Sequence, residues 1–100
     1  MKRQIFNQYV EKICSLFSIT SDDLISSNKR GDLSDARHML YYLCSKRQIS
    51  VSNILKYLAD MGLKTSHSVI SYGIKSVEDK FNNDNDYVQV ITKIEKSVTI

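Results

Sequence analysis

The sequence predicts an all-α protein built from five to six helices. All-β domains of this length depend on turn residues, but the 100 residues contain no proline and only three glycines. Through most of the chain, apolar residues recur at every third or fourth position, which is the period of a helix. Because 42% of the residues are hydrophobic and 25% are charged, we expect one small domain over residues 1–100 with a single modest core.

The first predicted helix covers residues 3–17, where apolar side chains fall on one face. That face is formed by Phe6, Val10, Ile13 and Phe17. A short second helix follows and continues through Leu24 and Ile25, with Thr20 or Ser21 as its expected cap. Two aspartates in its first turn suit the positive end of the helix dipole.

A polar, basic loop of sequence SSNKRG separates the short helix from the next long one, and Gly31 is expected to close it. Ser34 or Asp35 is expected to cap the long helix, which we predict over residues 35–47. Two cations fall in its last turn, where they suit the negative end of the dipole. Its expected buried face consists of Ala36, Met39, Leu40, Leu43 and Cys44.

Two further helices, predicted over residues 51–60 and 66–80, are joined by a short turn containing Gly62. The expected caps are Ser50 or Ser52 for the first helix and Thr65 or Ser66 for the second. The expected inward residues are Val51, Ile54, Leu55 and Leu58 in the first helix and Ile70, Gly73, Ile74 and Val77 in the second. Two helices joined in this way have the outline of a helix-turn-helix.

The last segment is predicted as a helix over residues 84–98, after a polar break of sequence NNDND. Tyr87, Ile91, Ile94 and Val98 have helical spacing. The segment is also rich in β-branched residues, so a strand remains the alternative.

Positive charge is concentrated in the middle of the chain. Residues 28–77 contain eight Lys or Arg and three Asp, whereas the first 27 residues balance and residues 78–100 have a net charge of −2. This distribution indicates that a polyanion would bind at the middle of the chain. The alternative is a solvated surface whose charge is merely uneven.

The two cysteines, Cys14 and Cys44, both lie in apolar helical patterns, so we expect buried free thiols. Neither the cysteines nor His38 and His67 have the spacing of a zinc site, and we expect no metal and no cofactor. No convergent set of acid, base and nucleophile is visible, and the sequence lacks the phosphate-loop pattern G-x-x-x-x-G-K-[ST], so we expect no enzyme.

No run reaches the ~18–20 apolar residues of a membrane span. The basic N-terminus is not followed by the apolar stretch of a signal peptide. With so few cysteines, these features favour the reducing cytoplasm. We expect Met1 and the short segment behind it to be a natural start of the chain.

Small polar side chains open the second helix of the predicted helix-turn-helix: Thr65, Ser66, His67 and Ser68. In such motifs the second helix presents its N-terminal end to base edges in the DNA major groove. Short hydrogen-bonding residues without a bulky apolar group suit that role, and helix amides there can bind a phosphate. The alternative is that Thr65 and Ser66 only cap the helix while His67 is exposed and idle.

Two motifs resemble the C-terminal DNA-binding domain of the bacterial replication initiator DnaA. ARHMLYYLC, residues 36–44, is similar to the A-R-Q-I-A-M-Y-L-A of that family, and HSVISYGIKSV, residues 67–77, is similar to its H-S-T-V-I-H-A-I-R-K-I. Ile54 and Leu58 fall on the isoleucine and phenylalanine of I-G-x-x-F, and DLISSNKR resembles the segment that ends in the basic loop. The resemblance is strongest over residues 20–80 and implies a Trp-repressor-like fold that binds double-stranded DNA.

The resemblance implies specific DNA contacts. His67 matches the base-contacting histidine and Ser68 the Ser or Thr that follows it, whereas Arg37 matches an arginine that lies against the DNA backbone. Lys75 matches an arginine late in the recognition helix. The remaining candidates, in the basic loop and at the start of the first helix of the motif, are Lys29, Arg30, Ser50 and Ser52.

The chain departs from the family pattern at several base-reading positions. Thr65 and Ser66 replace an Arg-Asp pair, Val69 replaces a threonine, and the turn before His67 is about four residues longer. We expect Lys64, in that longer turn, to replace the missing arginine at a phosphate or a guanine. Because a changed base contact shifts discrimination by about 1–3 kcal/mol, we expect the preferred site to differ from that of the initiators.

The leading hypothesis is therefore a sequence-specific duplex DNA-binding protein that acts in replication initiation at an origin or in its regulation, without an ATPase. The alternative is a protein-interaction adaptor or a transcriptional regulator on the same helical scaffold. In that case the flanking helices, at residues 1–17 and 84–98, would form a homodimer or bind a replication protein.

Overall fold

A computed structural model describes residues 2–26, 28 and 30–98, and within these residues the chain forms six helices and no strand. The helices are α1 (Lys2–Phe17), α2 (Ser21–Leu24), α3 (Gly31–Lys46), α4 (Val51–Met61), α5 (His67–Asn83) and α6 (Asn85–Ser97). The all-α prediction is confirmed. The strand alternative for the last segment is wrong, because the apolar side chains of α6 complete the core along one helical face.

Three of the expected helix caps are present. Thr20 caps α2 in a reciprocal arrangement in which its hydroxyl accepts from the Asp23 amide at 3.1 Å. Ser50 caps α4 by accepting from the amide of Asn53 at 3.1 Å, and Ser66 caps α5 in the same way. Each cap satisfies an amide that has no partner within its helix.

The expected cap of α3 at Ser34 or Asp35 is wrong. The helix begins at Gly31, and Arg30 stands at the cap position without a side-chain hydrogen bond. The buried side chain of Leu33 explains the difference. It packs into the core and thereby stabilises an additional first turn of α3, so the helix does not need a polar cap to begin there. The NNDND break is also shorter than expected, since only Asp84 separates α5 from α6 and caps the latter.

The core is organised around α3, which packs mainly against α1 on one side and α5 on the other. All five residues of its expected inward face are buried, and so are its two tyrosines, so α3 is covered on nearly every side. The expected residues Phe17, Val51, Leu55, Ile74 and Tyr87 are only partly buried at the margin of the core.

Two glycines determine where α5 lies. Gly62 ends α4 with φ +109°, a left-handed conformation that glycine adopts without a steric penalty. Gly73 lies where α5 crosses α3, and a Cβ at that position would be only 2.8 Å from Cδ2 of His38 and 2.9 Å from Cδ2 of Tyr41. The close approach holds the N-terminal end of α5 beside the first half of α3.

Both cysteines carry free thiols, and burial raises the pKa of Cys44 to about 12. Cys14 is only partly buried, which differs from its expected burial. In the described part of the chain, no helix has the length and apolar character required to cross a bilayer.

Candidate nucleic-acid interface

The N-terminal tip of α5 exposes the side chains that the sequence singles out. Ser66, His67 and Ser68 are exposed, and Thr65 is partly buried beside them. Because the Ser66 hydroxyl accepts from the Val69 amide at 3.3 Å, it serves as the helix cap. His67 and Ser68 are therefore the side chains at the tip best placed to meet a ligand, and their base contacts stay a prediction.

A continuous exposed stripe extends from this tip along α5. Ser68, Tyr72 and Lys75 are four and three residues apart, so they share one helical face, and all three are exposed. The opposite face, with Ile70 and Val77, is buried in the core. Acidic residues follow Lys75 on the exposed side, so the half of α5 that suits a polyanion is its first half.

A groove of about 500 Å³ lies between the first half of α3, the segment before it and the tip of α5. We call it the loop-side groove. Its cationic and apolar walls are formed by Ser26, Ser34, Arg37, His38, Tyr41, Leu63, Lys64, Thr65, Val69 and Tyr72. A concave surface beside an exposed helix tip is a geometry into which one strand of a duplex can settle.

Tyr72 is a functional candidate that the sequence reasoning missed. Its side chain is 68% exposed on the stripe, and the His38 ring packs edge-on against it at a centroid distance of 5.8 Å. Val69, 47% exposed, lies beside it in the same groove. The sequence contained a signal that could have identified Tyr72. It is a large aromatic residue four positions after Ser68, and helical spacing places it on the same face as that residue.

Arg37 is directed into the protein. Its guanidinium donates to the backbone carbonyls of Leu24 at 2.6 Å, Ser26 at 2.5 Å and Asn28 at 3.0 Å. These carbonyls lie at the end of α2 and in the segment behind it, where no helical amide is available to pair with them. Partial burial lowers the pKa of Arg37. Arg37 therefore holds together the segment at the base of the basic loop. Its contact with the DNA backbone stays a prediction.

The basic loop itself contains Arg30, whose guanidinium pairs with the Asp32 carboxylate through bonds of 2.6 and 3.1 Å. Both side chains are exposed, and exposed ion pairs are weak. A phosphate can therefore replace Asp32 at little cost. Lys29, the other loop candidate, lies outside the described residues.

A second groove, of about 480 Å³, lies on the other side of the turn between α4 and α5. We call it the α4-side groove, and it is lined by Ser52, Leu55, Lys56, Ala59, Leu63, Lys64 and Thr65. Ser52 is exposed in the first turn of α4, whereas the hydroxyl of the neighbouring candidate Ser50 serves as the cap. The structure thus brings the candidates of residues 64–68 together between two grooves.

The arrangement has the shape of a binding surface. Within the described residues no three His, Cys, Asp or Glu side chains cluster as metal ligands would. An exposed helix tip between two cation-bearing grooves instead matches the shape of a duplex, whose major groove of about 12 Å admits an α-helix while its phosphates border both sides.

Comparisons with known proteins show which proteins the chain is similar to. No family model matches the chain. The chain is similar to the chromosomal replication initiator protein DnaA of Chlorobaculum tepidum, with 27% identity over 98% of the chain. The DnaA proteins of Aquifex aeolicus and Jannaschia sp. are 24% and 28% identical over 89% and 88% of it. The chain spans about a fifth of the length of these curated relatives, namely 20%, 22% and 18%.

A solved structure has the same fold. The crystal structure of a DNA replication initiation factor superposes with a TM-score of 0.76 at 23% identity, covering 97% of this chain and 29% of that one. Sequence and fold therefore agree over nearly the whole chain while covering only a small part of each relative. This chain matches the C-terminal domain of the chromosomal replication initiator DnaA.

Proposed function

We propose that the chain is a sequence-specific binding module for double-stranded DNA that acts in the initiation of replication or in its regulation, without hydrolysing ATP. The similarity to the DnaA initiators supports a DNA-binding role in initiation in general. The finer proposal depends on one observation of the structure. The first half of α5 stands exposed between two cation-bearing grooves, in the part of the chain whose net charge is +5.

In this proposal the tip of α5 enters the major groove, where His67 and Ser68 meet base edges. Exposed Lys75 and Lys64 bind phosphates on the two sides of the helix. The Arg30 guanidinium leaves the Asp32 carboxylate and binds a DNA phosphate or the edge of the adjacent groove of the DNA. Arg37 holds the segment from which the basic loop projects, so it acts on the DNA through the position of that loop.

The test is selection of binding sites from random duplex DNA by the purified chain at two salt concentrations. We expect an enriched motif, and an affinity that falls steeply at the higher concentration because phosphate contacts release counterions. Binding without an enriched motif would contradict sequence specificity. No binding at either concentration would contradict the DNA-binding function altogether.

A protein-interaction adaptor is the second candidate. Most apolar residues of α1 and α6 are buried in the core. Leu16 is an exception, since it is 47% exposed beside a groove of about 260 Å³ between the two helices. Sedimentation of the free chain separates the candidates. Two results together would favour the adaptor: the free chain forms a defined dimer that the Leu16→Ser substitution dissociates, and it shows no salt-sensitive binding to DNA.

A further inference from the structure

Among the described residues that line it, the α4-side groove carries a net positive charge. Lys56 and Lys64 are both exposed at its walls, and none of the described residues that line it is acidic. Neither lysine pairs with a carboxylate among the described residues. Two ammonium groups at one groove produce a local potential that attracts an anion.

The one carboxylate that helical spacing offers to Lys56 is already occupied. Asp60 follows Lys56 by one turn, where the two would ordinarily form an exposed pair. Instead, the guanidinium of Arg3, from α1, binds the Asp60 carboxylate at 2.7 Å and lies over the Tyr57 ring. In this arrangement the Asp60 carboxylate faces Arg3, and Lys56 has no carboxylate partner among the described residues.

The groove also depends on features in which the chain differs from the initiator motifs that it resembles. Leu63 and Lys64 belong to the turn that is about four residues longer, and they line both grooves. The turn thus forms a ridge at the tip of α5, between the loop-side groove and the α4-side groove. A duplex whose major groove receives the tip has a phosphate backbone on each side of that ridge.

We propose that Ser52, Lys56 and Lys64 form a second phosphate-binding site, which binds the DNA backbone bordering the major groove on the α4 side. This site rests on the proposed DNA-binding function and extends its footprint. The Ser52 hydroxyl, at the first turn of α4, supplies a hydrogen-bond donor where the helix dipole also favours an anion. The site reads no sequence; it fixes the orientation of the duplex and adds to affinity.

The experiment measures the salt dependence of binding to the duplex selected above and to a random duplex of the same length. The variants are Lys56→Gln, Lys64→Gln and their combination, and the control is Lys93→Gln, an exposed lysine of α6. Each phosphate contact removed lowers the slope of log K against log salt by about 0.9. We expect each groove variant to lose about that much on both duplexes, and the combination to lose about 1.8.

A second measurement locates the contact. Neutral methylphosphonate groups replace the phosphates of the selected duplex one at a time. We expect a position at which neutralisation weakens binding of the wild-type chain but not that of Lys56→Gln, because the variant has already lost that contact.

The outcomes separate the two proposals. If the wild-type chain binds with a steep salt dependence but Lys56→Gln and Lys64→Gln retain its slope, the second phosphate site is refuted while the DNA-binding function stands. An equal loss of slope in Lys93→Gln also refutes the site, because the effect would then follow net charge alone. If the wild-type chain binds no duplex, both proposals fail together.

Discussion

Replacing Gly73 by alanine tests the contact that positions α5. The added Cβ would lie 2.8 Å from Cδ2 of His38 and 2.9 Å from Cδ2 of Tyr41, well inside van der Waals contact. In the initiator motifs that the chain resembles, alanine stands at this position, with glutamine and methionine in place of the two rings. The glycine therefore offsets the larger side chains on α3.

Two effects of opposite sign decide the magnitude. Alanine is favoured over glycine within a helix by about 1 kcal/mol. Overpacking a well-packed contact costs about 1–3 kcal/mol. The Tyr41 ring is 1% exposed, and the His38 ring packs against the rings of Tyr41 and Tyr72, so neither ring can move without losing packing contacts. The difference between the two effects is about 0–2 kcal/mol, and because both rings are packed we expect the upper part of that range, a free energy of unfolding lowered by about 1–2 kcal/mol.

Thermal and urea unfolding, followed by circular dichroism, measures this change. For a domain of this size each kcal/mol lowers Tm by about 4–8 °C. Gly31→Ala is the matched control, because Gly31 begins α3 and a Cβ there would meet nothing within 4 Å. We expect Gly31→Ala to be as stable as the wild-type chain or slightly more stable.

A double variant distinguishes the clash from other effects. Gly73→Ala combined with His38→Gln should recover part of the lost stability, since the shorter and flexible side chain vacates the space beside the new Cβ. A Gly73→Ala chain as stable as the wild type would refute the packing account of the crossing. Additive losses in the double variant would show that His38 is not the residue that clashes.

Three other substitutions test the remaining inferences. His67→Ala should reduce the preference for the selected DNA motif more than it reduces binding to random duplex, as measured by competition binding; equal binding of every sequence by both proteins would contradict a base contact. Arg37→Lys should lower the free energy of unfolding by about 1–2 kcal/mol, since one ammonium cannot replace the forked hydrogen bonds, and should speed proteolysis within residues 24–28. Burial, together with Lys80 and Arg37, lowers the pKa of His38 from its usual 6.5 against the opposing effect of Asp35. The neutral ring is thus favoured in the folded chain, and stability should decline as the pH falls below 6.5, less so in His38→Gln.

The helices of this chain were largely predictable because their signals are local. Helical spacing identified the buried face of α3, and small hydroxyl residues identified the caps of α4 and α5. The start of α3 was not predictable in the same way. A buried leucine three residues into the helix extended it beyond the residues that look like caps, and burial is a property of the assembled core.

The candidate site shows the same division. The sequence identified the tip of α5 and the basic middle of the chain, since both are patterns of neighbouring residues. It did not show that Arg37 turns inward to the carbonyls at and behind the end of α2, because those partners lie 9 to 13 residues away in the chain. Nor did it single out Tyr72, whose exposure depends on which face of α5 meets α3.

By itself, then, the sequence determined the helical class, the order of the helices and the polar tip of the helix-turn-helix, because backbone propensity, spacing and capping act over a few residues. Only the tertiary structure decided which charges are available to a ligand. Arg3 pairs with Asp60 across 57 positions of the chain, Lys56 has no carboxylate partner among the described residues, and the Arg37 guanidinium is hydrogen-bonded to backbone carbonyls inside the fold. Electrostatic pairing follows distance in space, and that distance is set by the packing of the helices.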